Sequence, residues 1–146
     1  MSRPSSESRG AYREFIPITT RWMDNDIYGH VNNVHYYSYF DTAVNSYLIK
    51  ANALDIHQGE VIGFVVESQC NYFFPMAFPQ AVTAGLRVGK LGSRSVCYEI
   101  GLFVDEQEET AAKGHFTHVY VNRADQRPVA LPENLRNALE PLLVAG

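Results

Sequence analysis

Asp24, Asp26, His30, Asn32 and Asn33 lie together in the stretch WMDNDIYGHVNNVHYY, residues 22–37. Carboxylates and imidazoles take protons or act as nucleophiles, and amides orient polar groups. A long aromatic run free of Pro and Gly follows directly, so the group falls where a helix begins. There, unpaired main-chain amides and the positive end of the helix dipole face outward and favour an electron-rich partner. Asn32 or Asn33 is a natural N-cap, and Gly29 permits a turn that other residues resist. Capping accounts for one asparagine and the glycine. It leaves Asp24, Asp26, His30 and the second asparagine to be explained by chemistry.

Several elements must position this group. REFIPITTRW (13–22) alternates as a strand with Ile16, Ile18 and Trp22 on one face. From Asn33 to about Ala53, Val34, Tyr37, Asp41, Val44 and Leu48 recur at helical spacing. Tyr36, Phe40, Ala43 and Tyr47 form an adjoining stripe, so the helix is expected to be wrapped rather than laid on a surface. Period-2 patterns then predict strands. Ile62, Phe64, Val66, Cys70, Tyr72 and Phe74 share one side, as do Val82, Ala84, Leu86 and Val88, and Val96, Tyr98, Ile100, Leu102 and Val104. AAKGHFTHVYVN (111–122) reads as the last long strand, and LPENLRNALEPLL closes with a short helix begun by Pro132. The result is an α+β domain over 13–146, one long helix and an antiparallel sheet of about five strands, preceded by a disordered leader, 1–12. Its open sheet edges favour pairing with a second copy.

Composition narrows the function. A chain of 146 residues with 46% hydrophobic residues, nine Tyr and eight Phe holds one aromatic-rich core or pocket. Net charge −4 argues against a nucleic-acid binder, which needs a basic surface. No apolar run approaches the roughly 20 residues of a membrane helix, and MSRPSSESRG lacks the apolar region of a secretory signal. Cys70 and Cys97 are outside any CxxC or metal-ligand spacing, so a reduced, cytoplasmic protein is expected.

DND-IYGHVNNVHYYSYFD resembles the D-x-D-x-x-G-H-V-N-N signature of hot-dog-fold acyl-CoA thioesterases of the 4-hydroxybenzoyl-CoA thioesterase type. VVESQCNYFFPMAFPQAV, VGKLGSRSVCYEIGLF, AAKGHFTHVYVN and RPVALPENLR continue the likeness, which covers residues 13 to 140. The segment is also similar to the H-V-N-N stretch of plant acyl-carrier-protein thioesterases. Tyr28 stands where those have their catalytic Asn, so that Asp-Asn-His trio is incomplete. The resemblance implies hydrolysis of an acyl-CoA thioester to a carboxylic acid and CoA, with no metal and no cofactor beyond the CoA of the substrate. Carried over by position, it makes Asp26 the catalytic carboxylate and Asp24 the acid that supports the turn. Asn33 becomes the site of the helix amide that polarises the carbonyl, and His30 an orienting histidine. Gly29, Asn32 and Tyr36 fall in the substrate-binding set, and Arg94 and Ser95 near the pantetheine and phosphates. Relatives complete the pocket with a second chain, so a dimer or tetramer is implied.

Plainer readings stand beside these. A lone Asp26 would be a turn former, His30 fits a structural histidine equally well, and Asn32 and Asn33 are a cap and a turn brace. Tyr36, Tyr37 and Phe40 are mainly core. Glu67, beside Gln69 and Asn71 on its strand face, reads as solvated, and Asp41, on the helix but outside the motif, ranks below Asp26. There is no GxSxG elbow, and His115 and His118 face opposite sides of a strand, which excludes a shared metal. A hot-dog hydratase or dehydratase would carry D-x-N-P-x-H, absent here. A non-catalytic acyl-CoA-binding module is the other alternative.

Overall fold

In the computed structural model, which describes residues 5–53 and 60–144, the Pro-free run after Asn33 forms α1 (Val34–Lys50). Asn52, in the left-handed region at φ 56°, helps turn the chain out of its last turn. Tyr36, Tyr39, Phe40, Ala43, Val44 and Leu48 face the core, as 3.6-residue periodicity demands. The other predicted stripe divides: Val44 and Leu48 are buried, whereas Val34, Tyr37 and Asp41 face out. Within one chain the sheet packs on the inner side of the helix and leaves this outer stripe exposed.

The sheet contains β1 (Glu14–Ile18), β2 (Val61–Tyr72), β3 (Val82–Leu91), β4 (Ser95–Val104) and β5 (Ala112–Asn122). Every pairing is antiparallel, in the order β1-β3-β4-β5-β2. Val82, Ala84, Leu86 and Val88 on β3 and Val96, Tyr98, Ile100 and Leu102 on β4 are fully buried or nearly so, as their alternation predicts. α2 (Glu133–Leu139) buries Leu135 and Leu139 and is tied to α1 by the Tyr47 hydroxyl, which donates to the Ala138 carbonyl at 2.6 Å.

Three expectations need correction. β1 ends at Ile18, and Trp22 lies on a 3₁₀ turn, 77% exposed, because the chain leaves the sheet to build the Asp24 loop. On β2 the register slips between Val65 and Glu67. The extra residue, Val66, exchanges the two faces, so Val65, Ser68, Cys70 and Tyr72 share the helix side, while Ile62, Phe64, Glu67 and Gln69 lie on the other. Ile62 and Phe64 therefore do not share a side with Cys70 and Tyr72.

The third correction concerns the leader. Residues 1–4 lie outside the described residues, but 5–12 are built onto the rear of the sheet. Glu7 pairs with Arg87 at 2.9 Å and with Lys113 at 3.2 Å, and its main chain is bonded to Thr110. Tyr12 is buried over Gly85 and Gly101, where any Cβ would come within 3 Å of the ring. The leader is a strap because two bare backbone positions leave room for one aromatic ring.

Candidate active site

Asp24 organises the loop ahead of α1. Its carboxylate is completely buried and accepts from the Arg21 amide (3.0 Å), Arg21 Nη2 (2.9 Å) and the Tyr39 hydroxyl (2.6 Å). Burial alone would raise its pKa, but the hydrogen bonds from Tyr39 and Arg21 outweigh it and hold the group below the ordinary carboxylate value. With both oxygens engaged, Asp24 braces the turn. The β2–β3 connector backs the same loop: the Val31 amide donates to the Met76 carbonyl (2.7 Å), and the Phe78 amide to Asn25 Oδ1 (3.0 Å).

Asp26 is placed differently. Its Oδ1 accepts from the Tyr28 amide at 2.9 Å, an Asx turn, while Oδ2 has no hydrogen-bond partner among the described residues. The Asp26 amide donates to the His30 carbonyl at 2.8 Å, closing a tight loop whose corner is Gly29, at φ 79°. Asp26 is half-buried and takes part in no ion pair among the described residues. It opens onto a cavity of about 420 Å³ lined by Asp26, His30, Val31, Asn33, Tyr36, Tyr72, Phe73, Phe74 and Pro75.

The N-terminus of α1 forms another wall. Asn32 is the cap, its Oδ1 accepting from the Val34 amide at 3.1 Å. Asn33 already has helical backbone angles and makes no side-chain cap bond, and its amide has no acceptor among the described residues. Asp26, His30, Asn33 and Tyr36 thus meet at one cavity, as a carboxylate, an imidazole, a helix terminus and an aromatic wall. Gly29 and Asn32 shape the site from outside its lining.

Arg94 and Ser95 do not join it within one chain. Ser95 pairs with Val119, and the Arg94 carbonyl accepts from the Tyr120 amide. The cavity lies at the far end of the sheet, where the Phe73 and Phe74 amides meet the Ala111 carbonyl. Between Ser95 and Leu102, whose carbonyl accepts from the Ala111 amide, β4 runs about 24 Å at roughly 3.4 Å per residue. Arg87 and Lys113 are on the rear face, paired with Glu7 and, for Arg87, Glu99.

Tyr72, Phe74 and Tyr39 were not singled out from sequence as site residues. Tyr72 packs edge-to-face on Tyr36 with ring centroids 4.8 Å apart, making the cavity's aromatic wall. Its only signal is its place at the end of a strand, and Tyr39 has none near Asp24 in the chain. Burial pushes the adjacent Cys70 thiol up to about 11, so it stays protonated and is a poor nucleophile near neutral pH.

A long helix packed on a five-stranded antiparallel sheet, with an acid-bearing cavity at the helix start, defines a hot-dog domain of the thioesterase kind. The chain belongs to the thioesterase-like superfamily, whose family model matches residues 20–139. The PA5185 protein of Pseudomonas aeruginosa strain PAO1 is 57% identical, with a TM-score of 0.93 over 95% of this chain and 97% of that one. Slr0204, a 1,4-dihydroxy-2-naphthoyl-CoA thioesterase from Synechocystis, shares the fold at 16% identity, with a TM-score of 0.78 over 86% of this chain and 93% of that one. YsmA of Bacillus subtilis (strain 168) is 25% identical over 93 residues, 64% of this chain; the match spans 63% of YsmA, less than two-thirds of its length.

Proposed function

We propose that this protein is an acyl-CoA thioesterase of the 4-hydroxybenzoyl-CoA thioesterase type, with Asp26 as its catalytic carboxylate. The observation that carries the reading is the shared cavity of Asp26 and the start of α1, with one carboxylate oxygen and the Asn33 amide left without partners among the described residues. A thioester carbonyl directed at that amide is polarised by a donor fixed before the reaction begins. Asp26 then either takes a proton from the attacking water or adds to the carbonyl carbon itself, giving an anhydride that water opens. In both routes the tetrahedral adduct collapses by expelling the CoA thiolate, which leaves readily and is protonated from solvent. His30 orients water or substrate from the cavity rim, and Tyr36, Tyr72 and Phe74 receive the acyl group. The Synechocystis neighbour acts on an aryl-CoA thioester, which supports CoA as the carrier here.

The exposed edge strand β2 supports self-association. Phe64, Val65 and Val66 lie along it and are each at least 40% exposed in the single chain. Pairing two β2 edges would extend the sheet, bring a second chain towards the cavity and cover the outer stripe of α1. Light scattering should report a dimer or tetramer, and Val65→Lys should lower the assembled fraction.

The test of activity is thiol release from short, long and aromatic acyl-CoAs. At least one should be turned over by the wild type and far more slowly by Asp26→Asn. Turnover of none, or equal turnover by both proteins, would remove the reading.

A further inference from the structure

The Asp26 cavity takes its walls from two segments that are far apart in the chain. One is the loop ahead of α1, and the other is the β2–β3 connector, 73–81, which contributes Phe73, Phe74 and Pro75. Neither segment is part of the sheet, so the gap between them depends on what ties one to the other. The connector is fixed to the sheet at its start, where the Phe73 and Phe74 amides donate to the Ala111 carbonyl at 2.8 and 3.2 Å. The Thr20 hydroxyl holds its far end through the Gln80 carbonyl at 3.0 Å. Between these points the buried Met76 and two hydrogen bonds to the loop set its position: Val31 amide to Met76 carbonyl, and Phe78 amide to Asn25 Oδ1.

Asn25 lies between the two carboxylates of the motif, and its own backbone is held firmly. The Asn32 amide donates to the Asp24 carbonyl and the Asp26 amide to the His30 carbonyl, both at 2.8 Å, and Asn25 bridges to Val31. Its backbone angles, φ −75° and ψ 144°, are open to any residue, so the local chain does not call for asparagine. The side chain is what matters. Among the described residues of 22–33, it is the one side chain that hydrogen-bonds to the connector. The Val31 tie is main chain to main chain and would form whatever the residue type.

The bond has no substitute. The Phe78 amide has no other acceptor among the described residues, and Pro79 beside it has no N–H to offer instead. Both residues of the pair are half-buried, which makes an unpaired amide costly. Trp22 packs edge-to-face on Phe78, with ring centroids 6.3 Å apart, so this ring contact also spans the junction of loop and connector.

We propose that Asn25 is a positioning residue that sets acyl-group specificity: it holds the connector against the Asp26 loop and so fixes the gap between Asp26 and the Phe74–Pro75 wall. It acts through the wall and touches neither substrate nor the reacting atoms. The proposal rests on reading this cavity as the acyl site. An acyl group long enough to reach the wall depends on the bond, and an acetyl group, too short to reach it, does not.

The experiment compares acetyl-CoA with hexanoyl-CoA and benzoyl-CoA, with affinities measured by calorimetry in the full-length Asp26→Asn protein so that the esters are not consumed. Adding Asn25→Ala should weaken hexanoyl-CoA or benzoyl-CoA roughly three- to tenfold, the value of one hydrogen bond, and leave acetyl-CoA unchanged. In the otherwise wild-type chain the same substitution should raise KM for the larger esters with little change in kcat, the signature of lost uniform binding. Trp22 is the single tryptophan, so its emission reports the junction directly and should shift in Asn25→Ala. Asn25→Asp keeps an acceptor for the Phe78 amide and should restore both the affinity and the emission. Asn25→Leu, close in shape but without an acceptor, carries the test if Asn25→Ala does not fold. Equal weakening of all three esters, as a general loss of structure would give, would overturn the proposal. So would unchanged affinities, or a failure of Asn25→Asp to restore them. Failure of the thioesterase reading shows separately, as no binding of any ester or as wild-type turnover by Asp26→Asn, and removes the proposal with it.

Discussion

Tyr39 reaches from the second turn of α1 to donate a 2.6 Å hydrogen bond to Asp24 Oδ2, joining the helix to the loop that carries the candidate catalytic acid. Tyr39→Phe should leave that buried oxygen with one donor fewer and cost about 1–3 kcal/mol in urea denaturation. A pH effect accompanies it. The folded-state pKa of Asp24 is held below its ordinary value, so its contribution is complete above the unfolded pKa near 4 and is lost as pH falls towards the lower folded pKa. Stability measured from about pH 5 downward should show this loss in the wild type and lack it in Asp24→Asn.

Asp26 should behave in the opposite way. Asn in its place keeps an oxygen for the Tyr28 amide, so the Asx turn and the fold survive. Removing the carboxylate takes away the base or nucleophile, and turnover of an accepted acyl-CoA should fall roughly 10²–10⁴-fold with its affinity preserved. Steady-state kinetics beside a circular dichroism spectrum would measure both. Near-wild-type turnover would move the assignment to Asp41, which lies on α1 outside this cavity.

The fold was legible wherever a pattern runs unbroken. Val82 to Val88 and Val96 to Val104 alternate because both strands lie inside the sheet with one face on α1. β2 was misread because a one-residue bulge at Val66 cannot be distinguished from steady alternation when the residues on both sides are apolar. The strap from Glu7 to Tyr12 was missed because its anchors, Arg87 and Lys113 and the bare Gly85 and Gly101, lie some 75 to 105 positions further along the chain. At the site, Asp26, His30 and Asn33 could be read together because they are neighbours in sequence. Tyr72 joins them only through the path of β2, and Arg94 and Ser95 were drawn to the site by resemblance alone.

Gly29 tests the corner of the loop. At φ 79° an alanine would be strained, although nothing lies within 4 Å of its Cβ, so the cost is conformational rather than steric crowding. Gly29→Ala should destabilise by about 1–2 kcal/mol. Because the Asp26 amide and the His30 carbonyl bond across this corner, turnover should fall with it. Gly29→Asn, better tolerated in the left-handed region, should recover most of both losses in parallel denaturation and thiol-release measurements.

His118 gives the fold a second sensitivity to acid, separate from that of Asp24. Burial lowers its pKa to about 4, whereas in the unfolded chain it titrates near 6.5. Between those values the unfolded state binds a proton that the folded state refuses, so unfolding becomes more favourable as pH falls. The contribution is complete above about pH 6.5, shrinks through the interval and is lost below about pH 4, reaching at most about 3 kcal/mol. The Asp24 effect begins only near the bottom of this window, so the two separate along the pH axis. His118→Phe preserves a ring against Phe116, on which His118 stacks at 5.1 Å, and cannot be protonated. Urea denaturation at intervals from pH 7 to pH 4.5 should therefore show falling stability in the wild type and a nearly level line in His118→Phe. Equal slopes would mean that the imidazole reaches solvent in the folded state.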